Sequence, residues 1–317
     1  MTLPSQRGPA PPTVLLGPQR FSPTLASVVR SLGIGGEIAA VTAGWQEREE
    51  EDAELRDHLQ GHGCATVNLM LHARGEQAFA EDPALRAAHG LRQERLRQLQ
   101  EVYHLRLLHL VDAAKEAFES RGDGWLLDPE RDDAIEAIRR LDEHHMARVQ
   151  GVHAVFDGTW RPAERPAFVR HRSEIASILG RVSALAIAGG HVAVLLNRLR
   201  MFGVLESASR LPVIAWSAGA MVLAERIVLF HDAPAQGPGA AEVLGPGYSR
   251  VPGIVPLPHA RRRLALDDPM RVAVFARRFA PSVLVALDPG ARVDWDGRAL
   301  RAAPGTHRLS QIGRAHV

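Results

Sequence analysis

The residue whose surroundings most clearly suggest chemistry is Ser217, within the segment V-I-A-W-S-A-G-A at residues 213–220. A serine hydroxyl is a weak nucleophile at neutral pH and needs a base within hydrogen-bonding reach. A strand–serine–helix turn would expose Oγ and direct the N–H of Ala218 into a site at the helix N-terminus. The same small-residue pattern also fits a crowded turn buried in a core, so taken alone it supports both interpretations.

A second candidate lies one strand–helix unit upstream, where Gly189-Gly190-His191 follows an apolar run. Two glycines after a strand let the backbone turn and expose N–H groups at the carboxyl edge of a sheet, where ligands bind in α/β folds. Gly-Gly by itself more often marks only a tight loop.

These segments must be positioned by alternating strands and helices. We predict strands at 13–16, 38–41, 66–71, 182–188, 212–215, 283–287 and 291–295, and helices at 23–32, 47–60, 168–179, 192–201, 218–226 and 271–279. Strands separated by helices of this length indicate parallel βαβ units. The predicted fold is α/β, a doubly wound, mostly parallel sheet with helices on both faces, formed by a single domain over residues 13–311.

A long helical pattern interrupts this order from about residue 73 to 151. Apolar residues recur there at intervals of three or four, which predicts an antiparallel helical hairpin inserted into the domain. The hairpin could serve packing or the formation of a homodimer, or it could act as a lid over an active site.

The bulk composition excludes several classes of protein. The chain has 317 residues, a formal net charge of +2 and 46% hydrophobic residues, which is typical of a globular protein without a nucleic-acid-binding stripe. The single cysteine, Cys64, excludes an internal disulfide and precedes the third predicted strand, so no thiol lies on a nucleophile turn. Without a signal-peptide pattern or a membrane-length apolar run, we expect a soluble cytoplasmic protein. The last six residues, 312–317, match what a sequencing adapter encodes, and we interpret them as an artefact.

Histidines in the insert offer a metal-site alternative that the spacing does not favour. His104, His109, His144 and His145 have no acidic partner at a recognisable motif spacing, so we predict no metal site among them.

Together, the motifs resemble peptidase family S51, the dipeptidase E and cyanophycinase group, within the class I glutamine amidotransferase-like superfamily. The resemblance covers about residues 180–297. It is carried by Gly189-Gly190-His191, by the leucine pair at 195–196, by the segment from Pro212 to Ala220, and by the stretch 252–264 that contains a histidine followed by arginines.

The resemblance implies a serine hydrolase that cleaves a small peptide or isopeptide bond without a metal or an organic cofactor. Ser217 would be the nucleophile, His259 the general base and Asp288 the group that orients His259. The N–H groups of Gly190 and Ala218 would form the oxyanion hole. Gly189, His191, Arg261 and Arg262 would contact the substrate, the arginines through a substrate carboxylate.

The sequence departs from the family pattern at several of these positions. Ala215 replaces the usual glycine before the nucleophile, His191 replaces Asn or Asp, and Pro289 follows Asp288 where a second acid is usual. A non-catalytic binding or regulatory member of the same fold is therefore the alternative. His231-Asp232 competes for the acid–base role. An α/β-hydrolase esterase is disfavoured, since in that class the acid precedes the histidine.

Overall fold

The computed structural model describes residues 11–230, 239–311, 315 and 316. Its strands are short, and most are two to five residues long. They are β1 Thr13–Leu16, β2 Gly36–Val41, β3 Cys64–Asn68, β4 Ala184–Ile187, β5 Val213–Trp216, β6 Arg226–Leu229, β7 Glu242–Pro246, β8 Ile254–Pro258, β9 Val283–Leu287, β10 Arg292–Trp295, β11 Leu300–Ala302, β12 His307–Leu309 and β13 Ala315–His316.

The helices range from single turns to ten turns. They are α1 Leu25–Ser31, α2 Ala53–Gln60, α3 Leu71–Glu81, α4 Pro83–Glu119, α5 Gly124–Trp160, α6 Pro166–Leu179, α7 Val192–Phe202, α8 Val204–Ser207, α9 Ala218–Leu223, α10 Ala260–Arg263 and α11 Pro269–Phe279, with 3₁₀ turns at Ala43–Arg48 and Pro162–Glu164. Among the described residues, no helix is long and apolar enough to span a membrane.

The central sheet has the strand order β11-β10-β1-β5-β4-β2-β3, and its five strands from β1 to β3 are parallel. Successive strand residues point to opposite faces, so both faces bury apolar side chains. Leu15 and Ile187 pack into the core on one face, whereas Leu16 and Ala186 pack with α1 and Trp216 on the other. The predicted doubly wound α/β sheet is confirmed in this architecture.

The strand order reverses between β2 and β4. The chain runs from β2 outward to β3, and later from β4 in the opposite direction to β5. The loops that leave β2 and β4 lie side by side at the carboxyl ends of these strands. Doubly wound folds bind their ligands at such a point.

A second sheet has the order β13-β12-β9-β8, in which β8 and β9 are parallel, and β6 and β7 form a separate antiparallel pair. The sequence patterns did not predict β6, β7, β8, β11 or β12. β8 contains prolines at positions 256 and 258. Proline lacks the N–H that a paired strand donates, so this composition argues against a strand.

The insert consists mainly of α4 and α5, two helices of 37 residues each, joined at residues 120–123. The helices are antiparallel. As the residue number rises along α4, the number of the contacting residue in α5 falls. These contacts are Gln100–His145 at 3.1 Å, Tyr103–Asp142 at 2.7 Å and Ala117–Arg131 at 3.1 Å.

A buried ionic network fastens this hairpin to the rest of the domain. Arg278 of α11 donates to both carboxylate oxygens of Asp142 at 2.7 Å, to the Tyr103 hydroxyl at 2.8 Å and to the carbonyl of Ala241 at 2.6 Å. The Asp142 and Arg278 side chains are 1% and 3% exposed. Removing one partner of such a pair leaves an uncompensated buried charge, which is strongly destabilising. This attachment favours packing over a mobile lid.

Several predicted boundaries differ from the structure. The strand predicted at 66–71 begins at Cys64, so Cys64 belongs to β3 rather than preceding it, and Leu71 begins α3 after Met70 turns into the left-handed region. The helix predicted at 218–226 ends at Leu223, because Arg226 pairs with Pro246 as the first residue of β6. The helix predicted at 47–60 is divided into the 3₁₀ turn Ala43–Arg48 and α2. The helical region extends beyond residue 151 to Trp160.

Candidate active site

Ser217 occupies a sharp turn between β5 and α9. Its φ and ψ are 52° and −123°, a conformation that L-residues rarely adopt and that costs of order 1–3 kcal/mol. Ala218 is the first residue of α9, so its N–H has no acceptor within the helix. The turn therefore places a half-buried serine between a strand and the N-terminus of a helix, although the first residues of that helix are buried.

Two glycines are required beside this turn because neighbouring atoms approach closely. A Cβ on Gly189 would lie 2.7 Å from the Cβ of Ser217 and 3.4 Å from the nitrogen of Ala218. A Cβ on Gly219 would lie 2.3 Å from the carbonyl oxygen of Ile187. Ala215 is fully buried in β5, so the methyl group that replaces the usual glycine packs into the core.

The Gly189-Gly190 loop also contacts the loop after β2. The N–H of His191 donates to the carbonyl oxygen of Gly44 at 2.7 Å, and a Cβ on Gly190 would lie 2.3 Å from the same oxygen. Gly190 has a φ of 110°, which glycine adopts without strain. The two loops thus pack against each other where the strand order reverses.

His191 caps helix α7. Its Nδ1 accepts a hydrogen bond from the N–H of Val194 at 3.3 Å, the capping role that an Asn or Asp side chain performs at this position in other helices. The histidine is therefore compatible with the helix start, and the residue is exposed next to the Gly189-Gly190 loop.

His259 and Asp288 follow neighbouring parallel strands. The register of β8 and β9 pairs Pro258 with Leu287, and the N–H of His259 donates to the carbonyl oxygen of Leu287 at 3.2 Å. The next residues, His259 and Asp288, therefore lie side by side where the two strands end. His259 has a φ of 59°, so the chain turns sharply into α10.

Gly17 connects this pair to the serine turn. It follows β1, whose register pairs Leu16 with Trp216, so Gly17 lies beside Ser217 at the edge of the central sheet. A Cβ on Gly17 would lie 1.9 Å from the carbonyl oxygen of Asp288, and its N–H donates to the carbonyl oxygen of Ala291 at 3.0 Å. Ser217, His259 and Asp288 thus belong to one corner of the molecule.

The side chains in this corner are not hydrogen-bonded to one another. Within the described part of the chain, neither Ser217 Oγ nor Asp288 bonds to the His259 ring. Asp288 Oδ1 accepts from the N–H of Arg261 at 3.1 Å, while Asp288 Oδ2 is buried without a hydrogen-bond partner. Catalytic hydrogen bonds often tighten only when substrate binds, so the missing bonds do not by themselves exclude these residues from a shared site.

The charges around His259 favour its neutral form. Burial lowers the pKa of His259, and the guanidinium groups of Arg263 and Arg262 lower it further, whereas the Asp288 carboxylate raises it. A neutral imidazole can accept a proton from a serine hydroxyl. The electrostatics therefore suit a base at neutral pH.

The three arginines after His259 differ in their contacts. Arg261 lies 3.7 Å from Asp288 Oδ2 and bonds His307 at 2.9 Å, so part of its charge is already used. Arg262 is exposed and has no ion-pair partner within residues 11–230 and 239–311. Of the two arginines predicted to contact the substrate, Arg262 is the one whose charge is not already used by a described partner.

Sequence reasoning missed the loop after β2. Gly44 supports Gly189-Gly190 through its backbone, and Gln46 has φ and ψ of 59° and −122°, nearly the conformation of Ser217. Sequence reasoning also missed Gly17, whose backbone lies against that of Asp288. Their signals were small residues directly after predicted strands, but the close approaches that require glycine became visible only in the tertiary structure.

The other histidines considered from the sequence do not contribute to this corner of the molecule as far as the structure describes them. His104 pairs with Glu242 at 2.7 Å, and His145 stacks on Tyr103 with ring centroids 4.1 Å apart. No group of three or more metal-ligating side chains occurs among the described residues. His231 and Asp232 lie outside the described residues.

No family model and no curated protein matches the sequence. Several solved structures are similar to the chain. A peptidase from an acI-B1 Actinobacterium has 12% sequence identity and a TM-score of 0.49, covering 96% of this chain and 92% of that one. A protein named "Putative Peptidase E Protein", from Listeria monocytogenes EGD-e, has 11% identity and a TM-score of 0.44, covering 95% of this chain and all of that one.

Proposed function

We propose that the protein is a serine-type peptidase that cleaves a small peptide or isopeptide through Ser217. The observation that carries this proposal is the strained backbone of Ser217 at the junction of β5 and α9. A buried turn of small residues could adopt an unstrained conformation, whereas a nucleophile must project its hydroxyl from the sheet edge. Strain retained at such a position is typical of functional sites.

In the proposed reaction, Ser217 Oγ attacks the scissile carbonyl carbon while His259 accepts the hydroxyl proton. The oxyanion that forms accepts hydrogen bonds from the N–H groups of Gly190 and Ala218. When the C–N bond breaks, His259 transfers the proton to the leaving amine, and an acyl–serine ester remains. Water, deprotonated by His259, then hydrolyses the ester and releases Ser217.

Asp288 is proposed to orient His259 once a substrate closes the site. Its Oδ2 is buried and accepts no hydrogen bond, with Arg261 Nε 3.7 Å away, and a protonated imidazole at His259 would supply the missing donor. Arg262 is proposed to bind the carboxylate of a small peptide substrate.

A non-catalytic binding protein is the second candidate, and one specific observation favours it. The His259 ring and the Asp288 carboxylate have no hydrogen bond between them, and Asp288 Oδ1 is instead engaged by the N–H of Arg261. A protein that had lost catalysis could retain the strained turn as a binding surface.

Labelling by a fluorophosphonate probe distinguishes these two functions. We expect the folded protein to be labelled at Ser217 and the Ser217→Ala variant to remain unlabelled. His259→Ala should slow labelling by at least about a hundredfold. Absence of labelling in folded wild-type protein would exclude the enzyme, and an unchanged rate in His259→Ala would remove that residue from the mechanism. A panel of dipeptides with acidic or basic N-terminal residues would then define the substrate.

A further inference from the structure

The outer face of α4 carries a helix-packing pattern separate from the one that holds α4 in the domain. The inner face buries Tyr103, Leu107 and Ala114. On the outer face, exposed residues recur at alternating intervals of three and four, the spacing of a helix that packs along another helix. These residues, which we call the α4 seam, are Leu91, Arg95, Gln98, Val102, Leu105, His109 and Asp112.

The centre of the α4 seam is apolar. Val102 is 60% exposed and Leu105 is 58% exposed, and they are neighbours one turn apart. No residue in the described part of the chain covers them. The segment 231–238, which lies outside the description, contains no large apolar side chain that could complement this pair.

Six of the seven seam residues are arranged symmetrically about the point between residues 103 and 104, and Leu91 lies outside this symmetric set. Val102 and Leu105 are equally far from this point, as are Gln98 and His109, and as are Arg95 and Asp112. The flanking pair Glu101 and Arg106 follows the same rule. A two-fold axis through the midpoint would therefore place each residue opposite a complementary one.

We propose that a second copy of this chain docks antiparallel on the α4 seam and forms a two-fold symmetric dimer. Val102 of one copy faces Leu105 of the other, and Arg95 faces Asp112. An isologous interface of this kind uses the same surface on both subunits, so every contact occurs twice.

The charges on the face support this occupant. Arg95 and Arg106 are exposed and have no ion-pair partner among the described residues, and Asp112 pairs only with Lys115 at 3.3 Å on the surface. In a parallel arrangement Arg95 would face Arg95 and Asp112 would face Asp112. Like charges opposed in this way are repulsive, so the charges select the antiparallel arrangement.

The surface is also held in place before binding. The Tyr103 hydroxyl, on the inner side of α4 near the midpoint of the seam, accepts from Arg278 at 2.8 Å and donates to Asp142 at 2.7 Å. α4 therefore presents the seam as a fixed helix, which lowers the entropic cost of association. This inference does not depend on the proposed peptidase activity.

Sedimentation velocity of the purified full-length chain over a wide concentration range tests the dimer. We expect a concentration-dependent dimer in the wild type and a monomer in the Val102→Glu/Leu105→Glu variant, with unchanged circular dichroism. Val155→Glu is the matched control, since Val155 is 62% exposed on α5 outside the seam and its replacement should leave the dimer intact. A monomeric wild type, or a dimer that survives the double substitution, would overturn the proposal.

A charge exchange tests the arrangement of the two helices. Arg95→Asp alone and Asp112→Arg alone should each weaken the dimer by about tenfold or more, because each places like charges opposite one another. The Arg95→Asp/Asp112→Arg variant should restore it, since both ion pairs form again with reversed polarity. Failure of the double variant to recover would reject the antiparallel pairing.

Cross-linking gives an independent readout of the same geometry. An equimolar mixture of Val102→Cys and Leu105→Cys chains should form the mixed disulfide on mild oxidation, because the two positions face each other in the antiparallel dimer. The native Cys64 is buried and should not compete. Preferential formation of the Val102→Cys homodimer would instead indicate a parallel interface and contradict the proposal.

Discussion

The Asp288 carboxylate and the His259 imidazole lie at the ends of adjacent parallel strands, where His259 N–H donates to the carbonyl oxygen of Leu287 at 3.2 Å. The negative charge of Asp288 raises the pKa of His259, yet Asp288 Oδ2 remains buried without a hydrogen-bond partner. The two groups interact through their charges and are not hydrogen-bonded to each other.

Replacing Asp288 with Asn should therefore have two effects on the proposed reaction. We expect kcat to fall by at least about tenfold, because the imidazole loses the group that would orient it. The pKa of His259 should also fall, since a charge that raises it is removed, so the acidic limb of kcat/KM should move to lower pH. A pH–rate profile checks both effects. An unchanged profile would show that another acid serves His259.

Arg263→Gln should shift the same limb in the opposite direction. The Arg263 guanidinium lowers the pKa of His259, so its removal lets the ring bind a proton at higher pH. The base acts in its neutral form. As the pH falls, the variant should therefore lose activity at a higher pH than the wild type does. Arg298→Gln, at an exposed turn after β10, is the matched control that leaves the profile in place. If the acidic limb lies at the same pH in the wild type and in both variants, Arg263 does not influence the pKa of the catalytic base.

Gly189→Ala should damage both the site and the stability of the domain. The added Cβ would lie 2.7 Å from the Cβ of Ser217, so the backbone of the turn must shift. Overpacking of this kind costs about 1–3 kcal/mol. Gly158→Ala is the control, because that position is within α5 with no atom within 4 Å of the new methyl group, and alanine there should stabilise by about 0.5–1 kcal/mol. Denaturant unfolding and probe labelling measure the two effects. A Gly189→Ala protein with wild-type stability and labelling would contradict the tight packing.

His153→Gln should make the domain less sensitive to acid. Burial, with the charges of Arg92 and Arg200, lowers the pKa of His153 to about 4 in the folded chain, compared with about 6.5 when unfolded. Between these values the unfolded chain binds more protons, so stability is complete above about pH 6.5 and is lost as the pH falls towards 4. The loss attributable to His153 is about 3 kcal/mol. Free energies of unfolding at pH 7 and pH 4.5 should differ less in the variant than in wild type, and an equal difference would refute the prediction.

The central strands and the serine turn could be predicted because their signals are local. β1 and β9 have the predicted bounds, and Ser217 lies between a strand and a helix, because apolar runs of four or five residues and a cluster of small residues impose these conformations on the chain. β8 could not be predicted in the same way. Its prolines disfavour a strand, and it forms because β9 pairs with it and the core covers it on both sides.

The sequence by itself determined the α/β class, the Gly189-Gly190 turn, the small-residue turn at Ser217 and the chain order of Ser217, His259 and Asp288. Periodicity and turn chemistry act over a few residues, so these features are local. Only the tertiary structure decided that Gly17 and Gly44 support the site. It also decided that Asp288 lies beside His259 and that the outer face of α4 remains uncovered by the described residues. These features depend on which strands become neighbours and how closely their backbones approach, and such contacts join residues that are far apart in the chain.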